Sequence, residues 1–233
     1  MFSLFSLFRR KSKTCPNCHL NSSWDRYKCV RCGYIEKLAK RKPDLLTQIM
    51  DLFDPKTYNP KDLYYNKQLI PESPGVYAWY FDNHFGTYFT ASTAWAINIA
   101  LNSAPTQNWF LLYIGIAGKK RSRTLRNRIY GDHLNQNSKG STLRQSLASL
   151  LWQETNLNPV MQLNGENEKQ KLNRWMFQHA RVAWIENDNP RKVEKVMISK
   201  FGKYLLFNLQ DNKSNPCRKE IKQLRKRWKK LGK

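Results

Sequence analysis

The sequence predicts an α+β protein preceded by a small cysteine-rich module, and three observations carry that prediction. Three short runs rich in β-branched and aromatic residues read as strands: Gly75–Phe81, Trp109–Gly115 and Arg181–Ile185. Between and after them, apolar residues recur at helical spacing, with Pro190 at a helix start. Four of the five cysteines form two C-x-x-C pairs within the first 36 residues.

The pairs are Cys15-Pro16-Asn17-Cys18 and Cys29-Val30-Arg31-Cys32, with ten residues between them. A C-x-x-C turn points two thiolates at one tetrahedral ion, and two such turns close its coordination shell. The spacing suits a short hairpin, so residues 1–36 are expected to hold a structural Zn²⁺ in a zinc ribbon. A shell of four thiolates leaves no open position for catalysis. Cys217, in a polar basic tail, is expected to be a reduced thiol.

Residues 37–70 read as a basic-to-mixed connector. It carries one amphipathic helical set (Leu45, Leu46, Ile49, Met50, Phe53) that Pro55 stops. Pro71 and Pro74 then introduce the first strand. Asp82–Asn108 separates the first two strands and contains an apolar, helix-like run, Ala94–Leu101. Further helices are expected around Arg123–His133, over Leu143–Trp152 and Lys169–His179, and from Pro190 to about Lys203.

The chain of 233 residues carries a net charge of +24, with 41 Lys+Arg against 17 Asp+Glu. At 40% hydrophobic and 13% aromatic it has enough apolar side chain for a core, which excludes wholesale disorder. No apolar run approaches the roughly 18 residues of a membrane span. The opening Met1–Phe8 is apolar, but its charges (Arg9, Arg10, Lys11) follow rather than precede it, unlike a secretion signal. The expectation is therefore a cytoplasmic protein with reduced cysteines and no membrane association.

Such a charge implies a polyanionic partner, with nucleic acid ahead of an anionic membrane surface. Residues 1–42 hold 11 basic against 2 acidic residues, and residues 213–233 hold 10 against 1. A third cluster comprises Lys119, Lys120, Arg121, Arg123, Arg126 and Arg128. Aromatics interleave with these runs (Trp24, Tyr27, Tyr130, Trp228), as stacking on bases requires.

On the helix after Pro190, Val193, Val196, Met197, Ile198 and Phe201 span one arc at about 100° per residue. Glu194 falls inside that arc, whereas Lys192, Lys195 and Ser199 lie opposite. A carboxylate on a core-facing stripe must be paired or bind a cation. The candidates are a buried ion pair with an arginine and a divalent metal, and the scarcity of acids points to one ion rather than two.

Gly75-Val76-Tyr77 on the first strand and Tyr113-Ile114-Gly115 on the second resemble the paired signature of the GIY-YIG nuclease superfamily. The resemblance continues through Leu125–His133 and Gly140–Leu147, then Glu194 and Leu206–Leu209, over roughly residues 71–211. Each motif alone is weak, but five in the right order are specific. The Gly140–Leu151 stretch resembles an uncharacterised bacterial subgroup. Residues 212–233 are left as a basic tail helix.

The resemblance implies a three-stranded antiparallel sheet flanked by helices and hydrolysis of phosphodiester bonds in DNA. It implies that Tyr77 and Tyr113 share one catalytic face and that Arg128 contacts the scissile phosphate, with Arg126 the competing register. His133 takes the position of a family His or Tyr; its spacing from Arg128 is one residue longer than usual, so Asp132 and Tyr130 compete for the place. Glu194 corresponds to the single ligand of Mg²⁺ or Mn²⁺, and Asn208 to a terminal asparagine that braces the site. Lys119, Lys120, Arg121, Arg123, Arg126 and Arg144 are the expected DNA contacts. Tyr113 is the favoured base, relayed by His133, with Tyr77 orienting the water; the two tyrosines could exchange roles. The rival reading is a non-catalytic zinc-ribbon nucleic-acid-binding protein with a degenerate nuclease fold. Monomer and dimer are both compatible with the sequence.

Overall fold

The computed structural model describes residues 13–14, 18–19, 21–22, 24–25, 28–29, 44–53, 55–82, 84, 97–99, 109–118, 123–155 and 167–231. The chain divides into two compact units, Met1–Pro43 and Asp44–Lys233.

In the first unit, β1 (Lys13–Thr14) pairs antiparallel with β2 (Asn21–Ser22), and β3 (Trp24–Asp25) with β4 (Lys28–Cys29). Cys18 lies on the turn joining β1 to β2, next to His19, whose φ is 52°. Cys15 and Cys32 lie outside the described residues.

The second unit is built on an antiparallel sheet of four strands. These are β5 (Gly75–Asp82), β6 (Ile97–Ile99), β7 (Trp109–Ala117) and β8 (Ala180–Glu186), in spatial order β6-β7-β5-β8. Strands β7, β5 and β8 form the expected three-stranded unit. The fourth comes from the inserted segment, where the apolar run that reads as helix holds a strand at Ile97–Ile99. Every residue of β5 is buried, because helices cover both faces of the sheet.

On one face, Val76, Ala78 and Tyr80 pack with α1 (Leu45–Asp51) and α5 (Pro190–Phe201) through Ile49, Leu52, Val193 and Met197. On the other, Tyr77, Trp79 and Phe81 pack with α3 (Thr142–Thr155), α4 (Glu168–His179) and α6 (Arg218–Lys230). A helix from Leu125 to Leu134 joins this second face, its Asn127–Leu134 portion wound as π-helix.

Local chemistry sets the helix starts. The Asp44 carboxylate accepts from Thr47 N–H at 2.8 Å to cap α1. Asn59 caps α2 (Pro60–Tyr65), and Asn167 with Gln170 forms a capping box on α4. Pro190 occupies the first turn of α5, where its missing N–H costs nothing.

The compact unit extends beyond the 71–211 span at both ends. Tyr58 exchanges two backbone hydrogen bonds with Val182 (2.8 and 3.1 Å), and its ring stacks on Trp184 at 4.4 Å. The connector thus covers the outer edge of β8. At the other end the tail helix α6 packs along α3, with Ile221 and Trp228 buried. Trp228 is therefore core, not a base-stacking surface, and Cys217 is buried at 3% exposure rather than carried on a polar tail. No helix among the described residues is long and apolar enough to cross a membrane.

Arg144 also departs from expectation. Its side chain is wholly buried, donating to the His133 carbonyl at 2.8 Å, to Asn173 Oδ1 at 2.6 Å and to the Lys169 carbonyl at 3.3 Å. Desolvation lowers its pKa to about 10. Arg144 is a brace between the π-helix, α3 and α4, out of reach of a polyanion. Arg144→Ala is expected to destabilise the fold by about 3 kcal/mol, by orphaning these acceptors and opening a cavity. Arg144→Met, which keeps most of the volume, is expected to cost less. Urea denaturation of the two variants checks the order.

Candidate active site

A β-bulge decides which face of the sheet carries the second tyrosine. Pairing between β5 and β7 runs Tyr80↔Leu111 and then Trp79↔Tyr113, leaving Leu112 as the extra residue. Strand side chains alternate with a period of two, so one inserted residue exchanges the faces beyond it. Trp109 and Leu111 therefore join the α1/α5 side, while Tyr113 and Ala117 join the α3/α6 side. Tyr77 and Tyr113 end on one face, with ring centroids 6.2 Å apart.

The glycine of the second motif follows from the same geometry. Gly115 pairs with Tyr77 across the two strands. A Cβ at Gly115 would overlap the Tyr77 ring and hydroxyl, so only glycine leaves room for that ring to lie across β7.

The helix after β7 supplies Arg128 and His133. Its π-turn carries the Asn135 N–H to the Tyr130 carbonyl at 2.7 Å, an i→i+5 bond. That turn absorbs the one extra residue between Arg128 and His133 and brings His133 to the tyrosine face. His133 Nε2 lies 2.8 Å from the Tyr77 hydroxyl, and Nδ1 lies 2.7 Å from Ser141 Oγ. The competing positions point elsewhere: Asp132 pairs with Arg128, and Tyr130 packs on Tyr64 with Lys67 over its ring. Arg126 is likewise committed, to the Ile70 carbonyl at 2.9 Å and to Glu72. Arg128 stands within electrostatic range of both tyrosine hydroxyls. Its Nε is buried with no hydrogen-bond partner among the described residues. Arg123 is exposed and lies 3.8 Å from Asp132; Lys119, Lys120 and Arg121 lie outside the described residues.

The start of α3 completes the cluster with residues the motif reading did not single out. Ser141 caps α3, its Oγ accepting from Arg144 N–H at 3.2 Å while facing His133. Thr142 lies close enough to Tyr113 to act on its pKa, lowering it. A Ser-Thr pair ahead of an apolar helical run is the available sequence signal. Arg225 of α6 bonds the Thr142 carbonyl and Ser146 Oγ. Only the packing of α6 reveals that one.

Asn208 anchors the last segment to the sheet. It accepts from Ile114 N–H at 2.9 Å and donates to the Ile114 carbonyl at 2.8 Å, while Phe207 N–H bonds the Leu112 carbonyl at 3.0 Å. Strand β6 covers β7 only at positions 109–111, so residues 207–208 take over that edge beside Tyr113.

Glu194, on the first half of α5, is half-buried and within electrostatic range of Arg128 and Tyr113. Burial raises its pKa, Arg191 lowers it, and Asp211 raises it; Asp211 is a second carboxylate that the wheel did not bring forward. Among the described residues its carboxylate makes no hydrogen bond and no ion pair. An unpaired, half-buried carboxylate fits one hard divalent cation that keeps most of its water. No group of three His, Cys, Asp or Glu able to hold a metal occurs among the described residues.

The electrostatics separate the two tyrosines. Burial raises Tyr77 well above its ordinary value and the neighbouring Tyr113 raises it further, while Arg128 acts to lower it. Burial also raises Tyr113; Arg128, Tyr77 and Thr142 act to lower it, and Glu194 acts to raise it. The anion is therefore easier to form on Tyr113. Burial and two guanidinium groups, Arg128 and Arg144, hold His133 well below its ordinary value and keep it neutral. A neutral imidazole carries one N–H, so His133 donates to one of Tyr77 and Ser141 and accepts from the other.

His133 also links stability to pH. Its folded pKa lies below the unfolded value of about 6.5, so the unfolded chain binds the extra proton and stability falls as pH drops below that value. Urea denaturation at pH 7.5 and 5.5 is expected to show a loss for the wild type of up to about 1.4 kcal/mol per pH unit from this residue. His133→Gln is expected to remove that part of the loss.

A family model for the GIY-YIG catalytic domain matches residues 75–227, which span both tyrosine motifs, Arg128, Glu194 and α6 through Arg225. Comparisons with curated proteins and with solved structures return no match. With its two tyrosine motifs paired in one sheet and most of its length matched, this chain belongs to the GIY-YIG catalytic-domain family.

Proposed function

We propose that this protein is a metal-dependent DNA endonuclease that hydrolyses phosphodiester bonds at a single-ion site. The observation that carries the reading is the convergence of Tyr77, Tyr113, His133 and Arg128 beside an unpaired Glu194 carboxylate. In-line attack of water builds negative charge on the nonbridging phosphate oxygens. Arg128, half-buried beside both tyrosines, is placed to present its guanidinium to those oxygens. Tyr113, as the phenolate, takes the water proton. Its anion is favoured by Arg128, Tyr77 and Thr142, and Tyr77 is fixed in turn by His133, which Ser141 positions. Tyr77 also orients the water. The leaving oxygen takes its proton from solvent. Glu194 would hold Mg²⁺ or Mn²⁺, whose chemistry at this place is Lewis-acid neutralisation of charge on the phosphate oxygens. Asn208 keeps the β7 backbone fixed beneath Tyr113.

The N-terminal unit binds one structural Zn²⁺ through Cys15, Cys18, Cys29 and Cys32, and grips DNA without reading sequence. Lys119, Lys120, Arg121 and Arg123 add phosphate contacts next to the site. The protein acts in the cytoplasm.

Nicking of supercoiled plasmid in Mg²⁺ tests the site. Glu194→Ala and Tyr113→Phe are each expected to slow nicking by about 10²-fold or more. Cleavage by Glu194→Ala at the wild-type rate would show that the ion is bound elsewhere. Absence of wild-type cleavage on duplex, branched and single-stranded DNA alike would favour a binding protein. For the N-terminal unit, elemental analysis is expected to return about one zinc per chain, lost in Cys15→Ser or Cys29→Ser.

A further inference from the structure

Outside the active site, a strongly charged concavity lies between α3 and α6. It encloses about 500 Å³ and is lined by Gln145 of α3 and by Lys222, Arg225, Lys226, Lys229 and Lys230 of α6. No acidic side chain lines it among the described residues. The five cations fall at positions i, i+3, i+4, i+7 and i+8, one continuous stripe on the helix. Ile221 and Trp228 lie on the adjacent face and bury against α3, which fixes the rotation of α6 and turns the stripe into the groove.

Like charges three and four residues apart weaken a helix. A stripe of five with no acid interspersed is therefore a cost that a bound polyanion would offset. Lys222 and Lys230 are separated by about 12 Å at 1.5 Å per residue, which covers about three to four phosphate steps on one strand of duplex DNA at roughly 3.4 Å of axis each.

Arg225 ties this groove to the chemistry. Its Nε and Nη2 reach Ser146 Oγ, and Nη2 also reaches the carbonyl of Thr142, at the start of α3 beside Tyr113. No bond of its Nη1 to another described residue occupies the remaining donor. Half-burial lowers the Arg225 pKa to about 10, and the nearby Tyr113 acts in the opposite direction.

We propose that the α3/α6 groove is a track for the phosphate backbone of the nucleic-acid substrate, running from Lys230 to Arg225 and feeding the flank of the cleaved strand to the Tyr113 corner. The proposal rests on the nuclease reading and adds to it the surface that receives the strand. The tail helix is then a built part of the substrate site, with its other surface acting only to anchor it.

The test uses the full-length protein and a triple variant, Lys222→Gln/Lys226→Gln/Lys229→Gln, whose three side chains are exposed. A control of equal charge loss is Lys192→Gln/Lys195→Gln/Lys200→Gln, on the exposed side of α5. Fluorescence anisotropy with a labelled 20-base-pair duplex, without added divalent cation, reads binding separately from cleavage. The groove variant is expected to bind about tenfold to a hundredfold more weakly at moderate salt, with a log–log salt slope shallower by about 2–3. Its KM for nicking is expected to rise with kcat held, while the control stays close to wild type.

Equal losses in the groove variant and the control would overturn the track in favour of bulk charge. So would unchanged duplex binding with loss of binding to phosphatidylserine vesicles, which would assign the groove to a lipid surface. The two readings fail separately. Loss of duplex binding in a protein that cuts no DNA sinks the nuclease reading alone, whereas normal binding and KM in a variant of an active nuclease sinks the track alone.

Discussion

One unpaired residue on a strand governs the geometry of the site. Strand side chains alternate strictly, and β7 must bury Trp109 and Leu111 against α1 and α5 while presenting Tyr113 beside Tyr77 on the opposite face. Those demands conflict in a regular ladder. The bulge at Leu112 resolves them by exchanging the faces within a single step. Gly115 then has a defined task, since the Tyr77 ring lies where its Cβ would be. The edge opened beyond β6 is closed by Asn208, whose amide satisfies both backbone groups of Ile114.

The same device, one residue added with its consequence absorbed locally, recurs in the helix that carries Arg128. Its π-turn lets an i→i+5 bond take up the additional residue, and His133 reaches both Tyr77 and Ser141. Both irregularities therefore sit beside the candidate catalytic face. Buried Arg144 supports this arrangement from behind, through the His133 carbonyl and Asn173. A charged side chain that reads as a substrate contact thus serves the packing of the site, and burial is what distinguishes the two roles.

The net charge of +24 resolves into unequal parts. Arg144 is internal, Arg126 is spent on Glu72 and Ile70, and Arg128 is half-buried among the tyrosines. The basic end of the chain is equally divided by the helix that carries it. One surface of α6 anchors through Ile221 and Trp228, the next carries the lysine stripe, and Arg225 stands where they meet. Composition reports a total, and only the folded arrangement says which cations remain facing solvent.

By itself the sequence determined the three long strands, the helix starting at Pro190 and the inward position of Glu194, because each rests on a local period or a local cap. The order of motifs also pointed to the family to which the chain belongs. Tertiary structure alone decided the register. It placed the bulge at Leu112, set Arg128 and His133 beside the tyrosines while giving Arg126 and Tyr130 other partners and pairing Asp132 with Arg128, buried Arg144, Cys217 and Trp228, and brought Arg225 to the Tyr113 corner. The physical reason is common to all of these. Alternation and helical period are properties of neighbours in the chain, whereas a one-residue shift in pairing, a π-turn and the burial of a cation are chosen by groups dozens of positions away. The hydroxyl of Tyr77 meets His133 56 residues later, and the backbone of Ile114 meets Asn208 94 residues later.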